Sequence, residues 1–200
     1  NFYGYRPFKP LPLSQALPVF EWGLNWCIGT AAHQYLISHA AVIERNGFAV
    51  IMPAPPGTGK STLCAGLVNR GWRLLSDELA LISRENGQVV SIPRPVSLKN
   101  ESIDIIRNYA RDQQVVIGPE AKDTLKGNVA HMRAPQNSVE RELEAAIPAW
   151  IIFPEYVVDA EAEIISRSKT ETFMMLAENT FNYNVLGQEG FELLGDVVDV

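Results

Sequence analysis

A short glycine-rich segment in the first third of the chain constrains the fold more than any other feature. It reads Ala54-Pro55-Pro56-Gly57-Thr58-Gly59-Lys60-Ser61. The apolar run before it (FAVIMPA) predicts a β-strand, and the run after it (STLCAGLVNRG) predicts a helix that stops at Gly71. Strand, glycine-rich loop and helix form the context in which the pattern G-x-x-x-x-G-K-[ST] binds phosphate. One position departs from that pattern, because Ala54 replaces its first glycine.

The residue types in this segment suit the phosphates of a nucleoside triphosphate. Glycines let successive backbone N–H groups turn inward, and a helix N-terminus adds further donors and a favourable dipole. Lys60 supplies a charge to the β- and γ-phosphates, the Ser61 hydroxyl is a ligand for Mg²⁺, and Thr62 supports the loop. ATP and Mg²⁺ are therefore the predicted cofactors. The predicted nucleotide-binding residues are Ala54, Pro55, Pro56, Gly57, Thr58, Gly59, Lys60, Ser61 and Thr62.

The rest of the chain predicts one α/β domain behind an N-terminal arm. Residues 1–20 are rich in proline and aromatic residues and predict an extended arm, while residues 21–37 fit either a helix or a strand. The predicted domain boundary therefore follows residue 37: residues 1–37 form an arm and packing segment, and residues 38–200 form the phosphate-loop domain. Asn46-Gly47 predicts a hairpin turn between two strands at its start.

Later segments carry weaker signals. Residues 72–83 predict a strand, and residues 100–113 predict a helix with Asn100 as its N-cap. The stretch 118–140 has little periodicity and is interpreted as a long loop. Further predicted elements are an extended stretch at 89–98, a buried strand at 146–154, a helix at 170–183 opened by Thr170 or Thr172, and a C-terminal helix.

Composition narrows the function classes. A net charge of -6, a pI of about 5.1 and no cluster of Lys and Arg argue against nucleic-acid binding. No apolar run approaches the ~20 residues of a membrane-spanning helix, so no membrane association is expected. Cys27 and Cys64 lack the spacing of a zinc site or a disulfide framework. Two reduced, buried thiols in a cytoplasmic protein are expected.

Two neighbouring acids follow the helix that the glycine-rich loop opens. Asp77 and Glu78 end the apolar stretch that begins at Trp72. They suit magnesium binding and proton acceptance, but a solvated acidic pair at a turn has the same spacing. The phosphate loop alone does not distinguish a kinase from an ATPase or a GTPase, although the NKxD element of guanine-specific switches is missing.

Several motifs together resemble the catalytic domain of HPr kinase/phosphorylase. They are His39, the Asn46-Gly47 turn, GTGKS, Arg70-Gly71 and the block RLLSDE, which ends in Asp77 and Glu78. Nearly the whole chain resembles the HPr-kinase-related kinase A group, through GWRLLSDE, PRPVSLKNESI, KGNVAHMRAP and NTFNYNVLG. The resemblance implies an α/β fold with a P-loop-containing mixed sheet, like the HPr kinase C-terminal domain and the phosphoenolpyruvate carboxykinase group.

The resemblance also implies roles for single residues. Asp77 matches the family's first Asp and is expected to be the general base toward a serine hydroxyl. Glu78 replaces the second Asp and, with Ser61, is expected to hold Mg²⁺. His39 matches a family histidine near the phosphates, although a structural histidine is an open alternative. The segment linked to the reverse, phosphorylase reaction is not evident, so a kinase without that activity is expected.

Cations in the later segments are further candidates to stabilise the transferring phosphoryl group. They are Arg94, Lys99, Lys126, His131 and Arg133. Lys126 and Arg133 are favoured because they lie in the long unpatterned stretch, and Arg133 joins Lys60, His39 and Asp77 as a predicted catalytic residue. Each is more often a surface charge in proteins.

The leading function is ATP-dependent phosphorylation of a hydroxyl, with serine as the favoured acceptor, on a protein, peptide or small metabolite. A nucleotide-gated binding module with little transfer is the alternative, and a phosphotransferase resembling the carboxykinases is a third. The third needs an arginine-rich anion pocket, which the scattered arginines do not suggest. The resemblance also implies a homo-oligomer.

Overall fold

The strand that leads into the glycine-rich loop lies inside a four-stranded sheet. The computed structural model describes residues 10–111 and 115–199. In spatial order the sheet contains β10 (Ile147–Ile151), β3 (Phe48–Pro53), β2 (Ala40–Arg45) and β4 (Arg73–Ser76). β3 runs antiparallel to β2 and parallel to β10, and β4 runs antiparallel to β2. The described part of the chain is therefore a mixed α/β fold.

Two three-stranded antiparallel sheets flank this central sheet. In spatial order, the first has β1 (Tyr35–Ser38), β5 (Ala80–Ser83) and β6 (Val89–Val90). The second has β7 (Val96–Lys99), β9 (Gly127–Met132) and β8 (Ala121–Thr124). The described helices, in chain order, are α1 (Ala16–Ala31), α2 (Lys60–Val68), α3 (Glu101–Tyr109), α4 (Gln136–Glu140), α5 (Lys169–Glu178), α6 (Tyr183–Leu186) and α7 (Gln188–Asp199).

The central sheet is buried on both faces. Leu75 on β4 packs in a core with Leu176 of α5 and Leu194 of α7. Its neighbour Leu74 packs in a second core with Cys64 of α2. Because alternate residues of a strand face opposite sides, a sheet covered on both faces needs a continuous apolar run. This explains why the predicted strand before the glycine-rich loop shows no alternation of apolar and polar residues.

The N-terminal prediction is wrong where the structure describes it. Residues 10–20 were expected to be an extended arm, but a 3₁₀ turn at Leu13–Gln15 leads directly into α1. Pro18 lies in the first turn of α1, where the missing N–H of proline removes no helical hydrogen bond. Residues 21–37, left open between helix and strand, contain the rest of α1 and most of β1. Residues 1–9 of the predicted arm lie outside the described residues.

The long loop expected at 118–140 is also wrong. This stretch contains β8, β9 and α4. β9 pairs with β7, whose residues Val96–Lys99 lie about 30 positions earlier, through contacts such as Ser97 with His131. Such pairing depends on a distant partner, so the local sequence pattern does not reveal it.

Several local predictions are confirmed, with adjusted boundaries. The Asn46-Gly47 turn has positive φ at both residues (57° and 85°), as a two-residue hairpin loop requires. Asn100 occupies the N-cap position of α3, but its side chain does not cap the helix and accepts a hydrogen bond from the Asn128 N–H instead. The helix expected from Thr170 or Thr172 begins at Lys169, with a capping box between Ser168 and Glu171.

Two compositional expectations concern membranes and cysteines. Among the helices within 10–111 and 115–199, none has both the length and the apolar character needed to cross a bilayer. Cys64 is buried and Cys27 is half-buried, and both are free thiols. The expectation of two buried cysteines is therefore correct only for Cys64.

Candidate functional site

The glycine-rich loop turns directly into helix α2. Gly59 is the N-cap residue of that helix and has φ 90°, and Gly57 has φ 93°. These left-handed values suit glycine far better than other residues. The Gly59 carbonyl accepts the first helical hydrogen bond from the Leu63 N–H at 2.9 Å. The three preceding N–H groups, at 60–62, have no partner within the helix, and so they remain as donors for an anion.

The chain that follows β10 lies across this loop. The Tyr156 N–H donates to the Thr58 carbonyl at 3.1 Å. A Cβ atom added to Gly59 would stand 3.1 Å from the Cβ of Tyr156. Gly59 is thus required for its backbone conformation and also for the close approach of Tyr156. Because β3 and β10 are parallel, their carboxyl ends meet at one edge of the sheet, the usual position of ligands in α/β proteins.

Lys60 reaches from the start of α2 into a buried charge cluster. Its Nζ lies 2.9 Å from Nε2 of His39, the residue between β1 and β2. The same Nε2 lies 3.1 Å from Oε2 of Glu78, which follows β4. Lys99, at the end of β7, places its Nζ 3.4 Å from the other Glu78 oxygen. Four separate parts of the chain therefore meet around His39 and Glu78.

The nitrogen shared by Lys60 and Glu78 cannot satisfy both partners at once. An imidazole Nε2 either accepts a hydrogen bond or carries a proton and donates one. If it accepts from Lys60, it offers no proton to Glu78; if it donates to Glu78, it cannot accept from the ammonium group. The contacts of His39 are thus sensitive to where the Lys60 ammonium group points.

Asp77 is more deeply buried than its neighbour, with 4% of its surface exposed. Its Oδ2 accepts a hydrogen bond from the Ser97 N–H at 2.9 Å. Its Oδ1 has no hydrogen-bond partner among residues 10–111 and 115–199. A buried carboxylate oxygen without a partner is rare in proteins and has the free lone pairs that a proton acceptor needs.

Burial and charge separate the pKa values of the two adjacent acids. Burial raises the pKa of Asp77 to about 6. The negative charge of Glu78 raises this pKa further, whereas the positive charge of Lys60 lowers it. Burial by itself would also raise the pKa of Glu78, but the His39 hydrogen bond and the charges of Lys99 and Lys60 lower it below its ordinary value. Burial lowers the pKa of Lys60, against the opposing effect of Glu78 and Asp77. Two acids with such different pKa values suit different roles.

The structure brings together most of the catalytic residues that the sequence predicts. His39 lies within hydrogen-bond distance of both Lys60 and Glu78, Asp77 precedes Glu78, and Ser61 follows Lys60 in α2. A magnesium ion would be held by the Ser61 hydroxyl and a Glu78 oxygen. Among the described residues no group of three His, Cys, Asp or Glu side chains could hold a metal alone.

The later cations are arranged differently from the prediction. Arg133 has an exposed side chain just beyond β9, and its backbone N–H donates to the Val116 carbonyl. No side-chain contact joins Arg133 to the Lys60 cluster in the described parts of the chain. Lys126 stacks over the Trp22 ring at 5.0 Å, and Lys99, a less favoured choice, contacts Glu78. Strand pairing of β7 brings Lys99 in, and no local sequence signal indicates this.

Comparison with known proteins gives one partial match. Residues 24–109 match the model of a family described as SynChlorMet cassette protein ScmC. This range includes the glycine-rich loop, His39, Asp77 and Glu78, but it covers less than half of the 200 residues. The family description names no reaction. A search among curated proteins found no match.

Proposed function

We propose that this protein is an ATP- and Mg²⁺-dependent kinase that transfers the γ-phosphoryl group to a hydroxyl, with a P-loop fold like that of HPr kinase. One observation carries the proposal. Lys60, the cation of the phosphate-loop pattern, shares His39 with Glu78, and the adjacent Asp77 keeps a buried oxygen without a partner among the described residues. A nucleotide-binding loop alone would need no such pair beside it.

The chain supplies the groups that phosphoryl transfer requires. The unpaired N–H groups at 60–62 would cradle the β- and γ-phosphates, and Lys60 would turn from His39 to the γ-phosphate. Mg²⁺, held by Ser61 and Glu78, would neutralise charge on the phosphates. His39 Nε2, released from Lys60, would then donate to Glu78 and fix the orientation of that carboxylate.

Asp77 is the proposed general base. The acceptor oxygen forms a bond to the γ-phosphorus, the bond from phosphorus to the bridging oxygen breaks, and ADP leaves with that electron pair. The acceptor proton passes to Oδ1 of Asp77, the oxygen without a partner among the described residues. A base with a pKa of about 6 is ionised at neutral pH and still accepts a proton in the transition state.

Transfer of labelled γ-phosphate into a host-cell extract tests this function. The extract is divided into protein, peptide and metabolite fractions after incubation with Mg²⁺ and wild type, Asp77→Asn, Lys60→Ala or the exposed control Asp196→Asn. We expect label in one fraction with wild type and Asp196→Asn. Lys60→Ala should lose nucleotide binding, and Asp77→Asn should keep binding but lose at least ~100-fold in transfer rate.

The result also separates the kinase from a nucleotide-gated module. Tight ATP binding by wild type without label in any fraction would contradict the kinase and favour the module. Equal transfer by wild type and Asp77→Asn would remove Asp77 from the role of base while the kinase proposal stood.

A further inference from the structure

A small polar cavity lies against Asp77, on the side that helix α1 covers. Its volume is about 10 Å³, room for one water molecule at most. Helix α1 contributes Glu21, Trp22 and Asn25 to its wall. Asp77 and Arg94 are among the residues on the opposite wall. Glu78, the proposed magnesium ligand, also lines the cavity, which therefore lies between the two adjacent acids and helix α1.

Unpaired polar atoms are concentrated around this cavity. Within the described ranges, buried atoms without a hydrogen-bond partner include Trp22 Nε1, Asp77 Oδ1, Arg94 Nε, Ser97 Oγ and His131 Nε2. All five residues line the cavity, although they come from separate parts of the chain. An unpaired buried polar group destabilises a fold, so a cluster of them points to a ligand. The cavity lining thus contains unpaired donors of Trp22 and Arg94 together with the unpaired acceptor oxygen of Asp77.

The side chain that fills the site is a carboxylate. Glu21 is buried, and its Oε2 lies 3.4 Å from Arg94 Nη1 without hydrogen-bond geometry. Arg94 uses Nη2 to donate to the Asn25 side chain and leaves Nε unpaired. Arginine normally binds a carboxylate through two parallel N–H donors, so Glu21 is a poor fit for this guanidinium group. Burial raises the pKa of Glu21 although Arg94 opposes it, in keeping with an imperfect pair.

We propose that this cavity is the acceptor site in a closed state, with α1 as its lid and Glu21 in the place of the acceptor's carboxylate. The acceptor is then a small hydroxy acid. Its carboxylate would bind Arg94 and the Trp22 N–H, and its hydroxyl would donate to Asp77 Oδ1 and attack the γ-phosphorus. This inference rests on the proposed kinase function and adds the substrate class.

The contacts of α1 suit a lid that opens at one end. At the N-terminal side, Gln15 Nε2 donates to the carbonyls of Lys122 and Asp123 at 3.0 and 3.2 Å. Glu21 and Asn25 hold the middle through Arg94. Ile28, near the C-terminal end, packs against the core of β1 and β5. Polar contacts therefore hold the N-terminal side and the middle of α1, and apolar packing that resists separation holds its C-terminal end.

Binding of matched probes tests the site without requiring transfer. Labelled L-serine and D-glycerate carry a hydroxyl and a carboxylate, whereas L-serinamide keeps the hydroxyl and replaces the carboxylate with an amide. Equilibrium dialysis with Mg²⁺ and a non-hydrolysable ATP analogue compares wild type, Glu21→Gln, Arg94→Lys and the exposed control Glu101→Gln. We expect Glu21→Gln to bind at least one of the two acids about tenfold more tightly than wild type and Glu101→Gln.

The remaining variants sharpen the result. Arg94→Lys keeps the charge but loses the paired donors, so it should bind the acids at least ~10-fold more weakly than wild type. Glu21→Gln should bind L-serinamide no more tightly than wild type does. Circular dichroism checks that each variant is folded, and Glu21→Gln alone decides the proposal if an arginine variant fails to fold.

Three outcomes would overturn the proposal: binding of L-serinamide as tight as that of the better-bound acid, no binding of either acid by folded Glu21→Gln, or transfer of label only to protein. None of them removes the kinase, which the extract experiment tests. Conversely, tight binding of an acid without transfer to any acceptor would support the site and contradict the kinase.

Discussion

Two buried charge clusters lie at opposite ends of the paired strands β2 and β4, and they differ in how completely they are satisfied. At one end, Arg73 donates through Nε to Glu44, and its two Nη atoms reach the carbonyls of Arg141 and Glu144 at 2.9–3.0 Å. The second Glu44 oxygen accepts from the Gly47 N–H at 2.6 Å. Every charged atom named here has a protein partner.

At the other end of β2 and β4, the charged groups are not all satisfied by partners within the described residues. His39 offers one nitrogen to both Lys60 and Glu78, and Asp77 keeps an oxygen without a partner in the described ranges. A satisfied buried ion pair fixes strand register, whereas unsatisfied groups of mixed pKa are poised for a ligand. The RLLSDE block thus divides into a structural arginine at its start and chemical groups at its end.

Breaking the satisfied cluster should give the largest effect. Arg73→Met would leave Glu44 charged and buried, with 2% of its side chain exposed, so we expect a loss of about 3–5 kcal/mol in the free energy of unfolding. Urea denaturation measures it, with Arg107→Met on the surface of α3 as the control. The double variant Arg73→Met with Glu44→Leu should recover much of the loss; an unrecovered double variant would contradict this account.

Neutralising Asp77 in the unsatisfied cluster should raise the free energy of unfolding rather than lower it. The folded-state pKa of Asp77, about 6, exceeds the ordinary value of 3.8, so above pH 6 the folded protein contains an ionised Asp77 whose burial lowers the free energy of unfolding. Asp77→Asn should therefore raise the free energy of unfolding at pH 7 by about 1–3 kcal/mol. The gain should shrink between pH 6 and pH 4, where wild-type Asp77 is protonated in the fold. Asp196→Asn should show no such gain, and a destabilised Asp77→Asn would refute the idea.

The pH dependence of transfer reports on the same carboxylate. Asp77 must be ionised to accept a proton, so the rate should fall by ~10-fold per pH unit below about pH 6. Glu78 stays ionised there, because its pKa is lowered. Initial rates at saturating MgATP measure the profile, and a flat rate from pH 7 to pH 5 would argue against Asp77 as the base.

The smallest expected change comes from Lys99. Its charge lowers the pKa of Asp77, so Lys99→Met should move the acid limb of the pH–rate profile upward by a fraction of a pH unit. Lys122→Met, which removes an exposed lysine from β8, is the matched control. A downward shift of the acid limb with Lys99→Met would contradict the expected effect of the Lys99 charge on the pKa of Asp77.

Local signals predicted one part of the molecule well. The strand before the glycine-rich loop, the helix after it and the Asn46-Gly47 turn depend on neighbouring residues, and all three are present. Lys60 belongs to the same short motif, whereas spacing alone leaves Asp77 and Glu78 ambiguous and the resemblance to HPr kinase selects them. Where nearby residues decide the conformation, the sequence is informative.

Long-range strand pairing and packing limit how well the sequence predicts the other elements. β9 gains its strand conformation from β7, and α1 is stabilised by packing on distant strands rather than by a clear apolar period. Glu21 and Trp22 reach the site through α1, which no local pattern indicates, and the contact of the candidate Lys99 with Glu78 depends on the pairing of β7. Arg133 was favoured because its segment appeared irregular, and strand β9 removes that reason.

The parallel pairing of β3 with β10 also affects when the molecule can form. It joins residues near Phe48 to residues near Ile147, about 100 positions apart, and closing so long a loop is slow. During synthesis, one edge of β3 therefore stays unpaired until translation has passed residue 151. Chaperone capture and aggregation compete with folding during that interval. The timing of translation, as well as the final contacts, thus governs the yield of a competent loop.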